Sequence, residues 1–230
     1  MGQGNNQEAF FALLRAGLWP ELDKPALQES PMDWGEIYRL ASEQSLLGLV
    51  FAGIDRLSVE QRPPKVMMLQ WIGEVQLLEQ RNQTLNHIIG VLVEKMRKEG
   101  IYTLLVKGQG VAQCYSKPML RTSGDVDLLM TVEDFHRAIS FLIPYALNKP
   151  KVERYSRHLA LIIGQWFVEL HGSLRTGLSS RLDREVDAVQ EDTFKNKLFR
   201  IWYNREADVM LPSPNNDVFF VFTHFIKHFY

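Results

Sequence analysis

Asp125 and Asp127 stand one residue apart in Arg121-Thr122-Ser123-Gly124-Asp125-Val126-Asp127-Leu128-Leu129-Met130, at the head of an apolar run. Such a run reads as a buried strand. Side chains on a strand alternate faces, so the two carboxylates share one face while Val126 and Leu128 enter a core. Two aligned anions repel, and a positive group should sit between them. Hard oxygen donors of this kind suit Mg²⁺ (or Mn²⁺), which takes one or two carboxylates and keeps its other positions for water and phosphates. A third acid lies in Trp166-Phe167-Val168-Glu169-Leu170-His171, where Glu169 and His171 share a face opposite Val168 and Leu170. With this strand beside the first, a spacing of about 4.8 Å brings Glu169 next to the pair. Asp125, Asp127 and Glu169 together form a candidate two-metal site for phosphoryl or nucleotidyl transfer, its ions about 3.5–4 Å apart.

Lys107-Gly108 ends an apolar run and opens a short helix. Glycine at such a turn lets the backbone approach a phosphate, and free amides at a helix start can face it. The turn lacks the glycine spacing and Lys-Ser/Thr pair of a P-loop. Lys107 adds a mobile charge, and Arg121 can grip a phosphate in bidentate fashion. With Gly108, Ser123 and Gly124 these residues form the expected nucleotide-binding set. Plainer roles stand beside these: Lys107 as a solvated residue after a strand, Arg121 as an ion-pair partner of Asp125 or Asp127, and His171 as a hydrogen-bonded structural histidine. His224 and His228 have the i, i+4 spacing of zinc proteases, but Phe225 follows His224 where a water-activating Glu would be needed. Packing or a substrate contact suits them better.

Several elements must position these groups. The first hundred residues read as helical: Asn6 caps one helix that Gly17 ends, and Asp33 caps a second. A third apolar stretch covers residues 46–57. Helical spacing then continues from Pro64 to Glu99, roughly 50 Å at 1.5 Å per residue, with Gly73 and Gly90 as places for a bend. Residues 101–106 form a short β-rich run, followed by a short helix at about 110–115 and the strand at 125–130. Thr131 and Asp134 resemble a capping box that opens a helix to about Leu142. Residues 158–163 and 166–171 read as strands of a hairpin turning at Gly164-Gln165. A polar stretch covers 175–197, followed by a segment at 199–203 and a strand at 208–211. Asn216 caps a last apolar helix that should continue beyond Tyr230.

Composition narrows the function classes. At 230 residues and 46% hydrophobic, the chain can bury one large or two small cores. Lys plus Arg number 26 against 27 Asp plus Glu, which gives no strong nucleic-acid signal. The single Cys114 forms no internal disulfide and reads as a packing residue. With no signal-like segment and no run long enough to span a bilayer, a cytoplasmic location is the expectation.

Taken together, Leu105-Val106-Lys107-Gly108, Ala112, Tyr115, Pro118, Arg121, Asp125-Val126-Asp127-Leu128-Leu129 and Glu169-Leu170-His171 resemble the poorly characterised bacterial nucleotidyltransferases of the polymerase-β superfamily. The resemblance runs from about Trp34 to Tyr230, with the lead-in Leu40-Ala41 to Gly48-Leu49 and the closing His224-Phe225-Ile226-Lys227-His228. It implies metal roles for Asp125, Asp127 and Glu169 and the glycine-turn role for Gly108. Two departures stand out: Lys107-Gly108 replaces Gly-Gly or Gly-Ser, and the third acid is Glu rather than Asp. The expected fold is α+β: a helical region over residues 1–99, a small mixed sheet with flanking helices over 100–212, and a C-terminal helical region opening at 213–230. The expected reaction is Mg²⁺-dependent transfer of a nucleoside monophosphate from an NTP to a small-molecule or protein hydroxyl. A non-catalytic nucleotide-binding module and an antitoxin-type enzyme adenylylating a protein partner are the alternatives.

Overall fold

A computed structural model describes residues 2–21, 27, 32–150 and 157–229. Among them are eight α-helices and one six-stranded mixed sheet, an α+β arrangement. The chain divides into two compact units, Met1–Thr84 with Ala112–Thr122, and Leu85–Val111 with Ser123–Tyr230.

In the first unit, α1 (Gly2–Leu18), α2 (Trp34–Glu43) and α3 (Leu47–Ile54) enclose Phe10, Leu13, Ile37, Val50 and Trp71. Helices α1 and α3 approach so closely that a Cβ on Gly17 would lie 1.9 Å from the Leu49 carbonyl oxygen, and one on Gly53 would lie 2.0 Å from that of Leu13. Asp33 caps α2 as expected, accepting from the amides of Gly35 and Glu36. Asn6 is not a cap. It lies inside α1, where its Oδ1 accepts from the Asp33 amide at 3.1 Å.

Helix α4 (Lys65–Lys98) is one continuous 34-residue element, unbroken at Gly73 and Gly90. Its first part belongs to the first unit and its last part to the second. The buried Asn82 side chain donates to the carbonyls of Met119 and Arg121, at 2.7 and 2.8 Å, while Leu120 joins the first core. Residues 112–122 therefore return to the first unit, where a border near residue 100 had been expected.

The second unit holds β1 (Leu104–Val106), α5 (Gly108–Ala112), β2 (Asp125–Leu129), α6 (Val132–Leu142), β3 (His158–Ile163), β4 (Trp166–His171), α7 (Ser180–Lys195), β5 (Phe199–Tyr203), β6 (Asp208–Pro212) and α8 (Pro214–Phe229). The sheet order is β3-β4-β2-β1-β6-β5, with β2/β4 and β1/β6 parallel and the other pairs antiparallel. Strand alternation assigns the faces. Val126, Leu128, Val168 and Leu170 pack with Ile89, Val93 and Met96 of α4 and Phe135 and Ile139 of α6. On the opposite face Leu104, Val106 and Leu129 meet Phe220 of α8, with Val189 and Phe194 of α7 alongside.

Local chemistry explains the ends. Thr131 Oγ1 accepts from the Asp134 amide at 3.1 Å, but the Asp134 carboxylate turns to the Tyr102 amide and Arg137, so only half a capping box forms. Gly164 turns the β3–β4 hairpin at φ 61°. The polar stretch contains a helix that the sequence did not disclose: α7, capped by Ser179 on the Leu182 amide and buried through Val186, Gln190 and Thr193. Asn216 does not cap α8. Its own amide donates to Ser213 Oγ at 3.4 Å, and its side chain reaches Thr193 Oγ1 at 2.7 Å. Helix α8 belongs to the second compact unit rather than to a separate region. Among the described residues, no helix is long and apolar enough to cross a membrane.

Candidate functional site

The pleat of β2 and β4 assembles the acids. In the parallel register Asp127 lies opposite Glu169 and Asp125 opposite Phe167, with Val106 of β1 across from Asp127 on its other side. Asp125, Asp127, Glu169 and His171 thus share the sheet face that carries α8. A cleft of about 440 Å³ opens there, with Lys107, Asp125, Glu169 and His171 on the sheet side and His224, Lys227 and His228 of α8 on the other.

The positive group demanded by the paired acids is Lys107. Immediately after β1 its backbone enters the left-handed region at φ 58°, a conformation disfavoured for residues with a Cβ. This turn brings Nζ to 2.5 Å from Asp127 Oδ1. His171 Nε2 approaches the same oxygen at 2.9 Å. Asp127 is consequently buried beneath two basic groups, with a side chain 1% exposed, whereas Asp125 faces the cleft. Lys107 is thus neither merely solvated nor free.

The electrostatics differ between the three acids. Burial, reinforced by Asp127 and Glu169 and opposed by Lys107, raises the Asp125 carboxyl above its ordinary range. Glu169 moves the other way: hydrogen bonds from His158 and His171 hold it far below the usual carboxylate range. Burial alone would depress His171, but the carboxylates of Asp127 and Glu169 outweigh it and raise the imidazole.

The expected nucleotide-binding residues part company. Gly108 follows Lys107 at φ 36°, and a Cβ there would lie 2.9 Å from Ser123 Oγ. Ser123 is buried, and its hydroxyl has no hydrogen-bond partner among the described residues, so a donor points into this turn without an acceptor. Gly124 is exposed, with open space around its Cα. Arg121 belongs to the first unit. Its guanidinium donates to the Thr122 carbonyl at 3.2 Å, and no ion pair joins it to Asp125 or Asp127 among the described residues.

His158 was missed. It opens β3 directly opposite His171, and its Nε2 lies 3.3 Å from Glu169 Oε2. The signal was available in principle: His158 and His171 are equidistant from the hairpin turn, so the register pairs them. Arg175 also lines the cleft, held by a short ion pair to Asp187.

A search of curated proteins and a search of solved structures gave no match. A family model described as an uncharacterised nucleotidyltransferase matches residues 30–230, a span that includes the whole described sheet, its acids and α8. The chain therefore belongs to this nucleotidyltransferase family, and on that ground is an enzyme of nucleotidyl transfer.

Proposed function

We propose that the cleft transfers a nucleoside monophosphate from an NTP to a hydroxyl of a small-molecule acceptor, with Asp125, Asp127 and Glu169 serving a divalent cation such as Mg²⁺. The single observation that carries this reading is the register of β2 on β4, which aligns three carboxylates on one face beside a cleft. The donor set fits a hard cation. Asp125 is raised first by burial and then by Asp127 and Glu169, and a cation beside it would favour its charged form. Both contacts to Asp127 fall on Oδ1, leaving Oδ2 for a further cation.

When bound, the metal ions neutralise the triphosphate and stabilise the attacking and leaving oxygens. The chain's residues do the rest by position and charge. Ser123 Oγ and the Lys107-Gly108 turn offer donors to phosphate oxygens. Lys107 is poised to exchange Asp127 for the incoming phosphates. The acceptor oxygen bonds to the α-phosphorus, the α–β bridging bond breaks, and pyrophosphate leaves. The hydroxyl's proton passes to a carboxylate that lines the cleft, Asp125 or Glu169.

The test uses α-labelled NTPs with Mg²⁺ or Mn²⁺ and cell extract. Label should appear on a small molecule with the wild type and disappear with Asp125→Ala/Asp127→Ala. Label on a protein would move the acceptor to that class. No label from any NTP, together with no nucleotide-induced thermal shift, would remove the catalytic reading.

A further inference from the structure

The histidines around Glu169 do not suit a site made for magnesium alone, which prefers oxygen donors. His158 Nε2 and His171 Nε2 lie 3.3 and 3.4 Å from the same atom, Glu169 Oε2. Both are long for the hydrogen bonds they make to Glu169, whose usual N–H···O range is 2.7–3.2 Å. They are also close to two of the ligand–ligand separations of another geometry. Four ligands at about 2.0–2.1 Å from a tetrahedral Zn²⁺ stand about 3.3 Å from one another, the bond length times the tetrahedral edge ratio. The three donor atoms all lie within 4.8 Å of one another.

The arrangement is built into the sheet rather than into mobile loops. His158 and His171 are register partners on antiparallel strands, with ring centroids 4.9 Å apart. Glu169 is two residues before His171, on the same face of β4. Asp127 Oδ1 lies 2.9 Å from the same His171 Nε2 and 2.5 Å from Lys107 Nζ, so an ion bound at that nitrogen replaces the histidine's contact to Asp127 while Lys107 keeps its own. The set faces the cleft, so an ion has an entry path.

We propose that His158, Glu169 and His171 form a binding site for a tetrahedral transition-metal ion of the Zn²⁺ type. Two imidazoles with one carboxylate leave a position for water or a substrate oxygen, the pattern of catalytic rather than structural zinc sites. The site shares Glu169 with the nucleotidyl-transfer reading but needs neither nucleotide nor Asp125.

The experiment is spectroscopic. Tag-free full-length protein, stripped with chelator, is titrated with Co²⁺ without nucleotide. Wild type should develop the intense visible bands of four-coordinate Co²⁺ at one equivalent, and Zn²⁺ should abolish them. His158→Ala changes an exposed side chain at the start of a strand, and Glu169→Gln keeps the shape of the acid; each should weaken Co²⁺ binding at least ~100-fold, since even outer partners of metal ligands are worth 10–100-fold. Asp125→Ala removes a carboxylate of the nucleotidyl-transfer reading but no ligand of this set, and should keep the bands. Bands absent from the wild type, or retained in His158→Ala, would overturn the proposal. Neither result touches the NTP-labelling experiment, so the two readings fail separately.

Discussion

Asp125 and Asp127 are chemically identical and separated by one residue, yet their surroundings oppose each other. Asp127 lies under Lys107 and His171, and removing its charge leaves two basic groups facing one another away from solvent. Breaking such a buried pair should cost about 3 kcal/mol. Asp125 titrates higher folded than unfolded because of burial and its acidic neighbours. Charging it therefore costs stability, a cost absent below the ordinary carboxylate range and complete above the raised value. Asp125→Asn should leave the midpoint at pH 7 unchanged or slightly raised, by less than ~1 kcal/mol after solvent screening, and the gain should vanish near pH 3. Asp127→Asn should lower it. Both should reduce transfer at least ~10³-fold. Calorimetry at both pH values checks the contrast, and equal destabilisation by the two variants would contradict it. The shared face of Asp125 and Asp127 was legible from strand alternation, whereas the place of Glu169 beside them rests on the pairing of β2 with β4. The partner of Lys107 was not legible, because a left-handed backbone at a non-glycine residue leaves no sequence signature.

Among elements, legibility follows the strength of the periodic signal. The β3–β4 hairpin was readable to the residue because alternation and Gly164 agree. Helix α7 was not, since only Val186, Gln190 and Thr193 of its 16 residues are buried, too thin an apolar stripe to stand out. Helix α8 was readable, and packing or a substrate contact was the expectation for its His224 and His228, which line the cleft. At His224 partial burial and the charges of Lys107, His228 and Lys227 outweigh the opposing pull of Asp127 and lower the imidazole to about 4. An unfolded histidine titrates near 6.5. Above that value both states are neutral and His224 has no effect. As pH falls through the window from about 6.5 to 4, the unfolded state takes up the proton first and stability is lost. Wild type should therefore lose more thermal stability between pH 7.5 and 5 than His224→Gln, by at most ~1 kcal/mol because the ring is only partly buried. Parallel slopes for the two proteins would show that the ring protonates normally.

At the scale of the whole molecule, charge bears on the acceptor more than on the fold. The compact units were only partly legible: helical and sheet regions could be told apart, but the return of residues 112–122 to the first unit depends on Asn82 and Leu120, a long-range choice that local pattern does not encode. The balance of charge, in contrast, is read directly from the chain. With 26 basic against 27 acidic side chains, the molecule has no excess to attract a polyanion at a distance. The cleft also carries the carboxylates of Asp125 and Glu169, and its Arg175 is already paired with Asp187. Such a distribution suits a compact triphosphate brought in with its metal, where a few contacts at short range suffice. A long nucleic acid needs a basic surface that neutralises many phosphates, with affinity falling steeply as salt rises. Fluorescence anisotropy with labelled single- and double-stranded RNA should therefore give dissociation constants weaker than ~10⁻⁴ M at physiological salt. Saturable binding well below that value, with a salt slope of several phosphate contacts, would make a nucleic acid the acceptor in place of a small molecule and leave the aligned carboxylates of β2 and β4 with the same chemistry to perform.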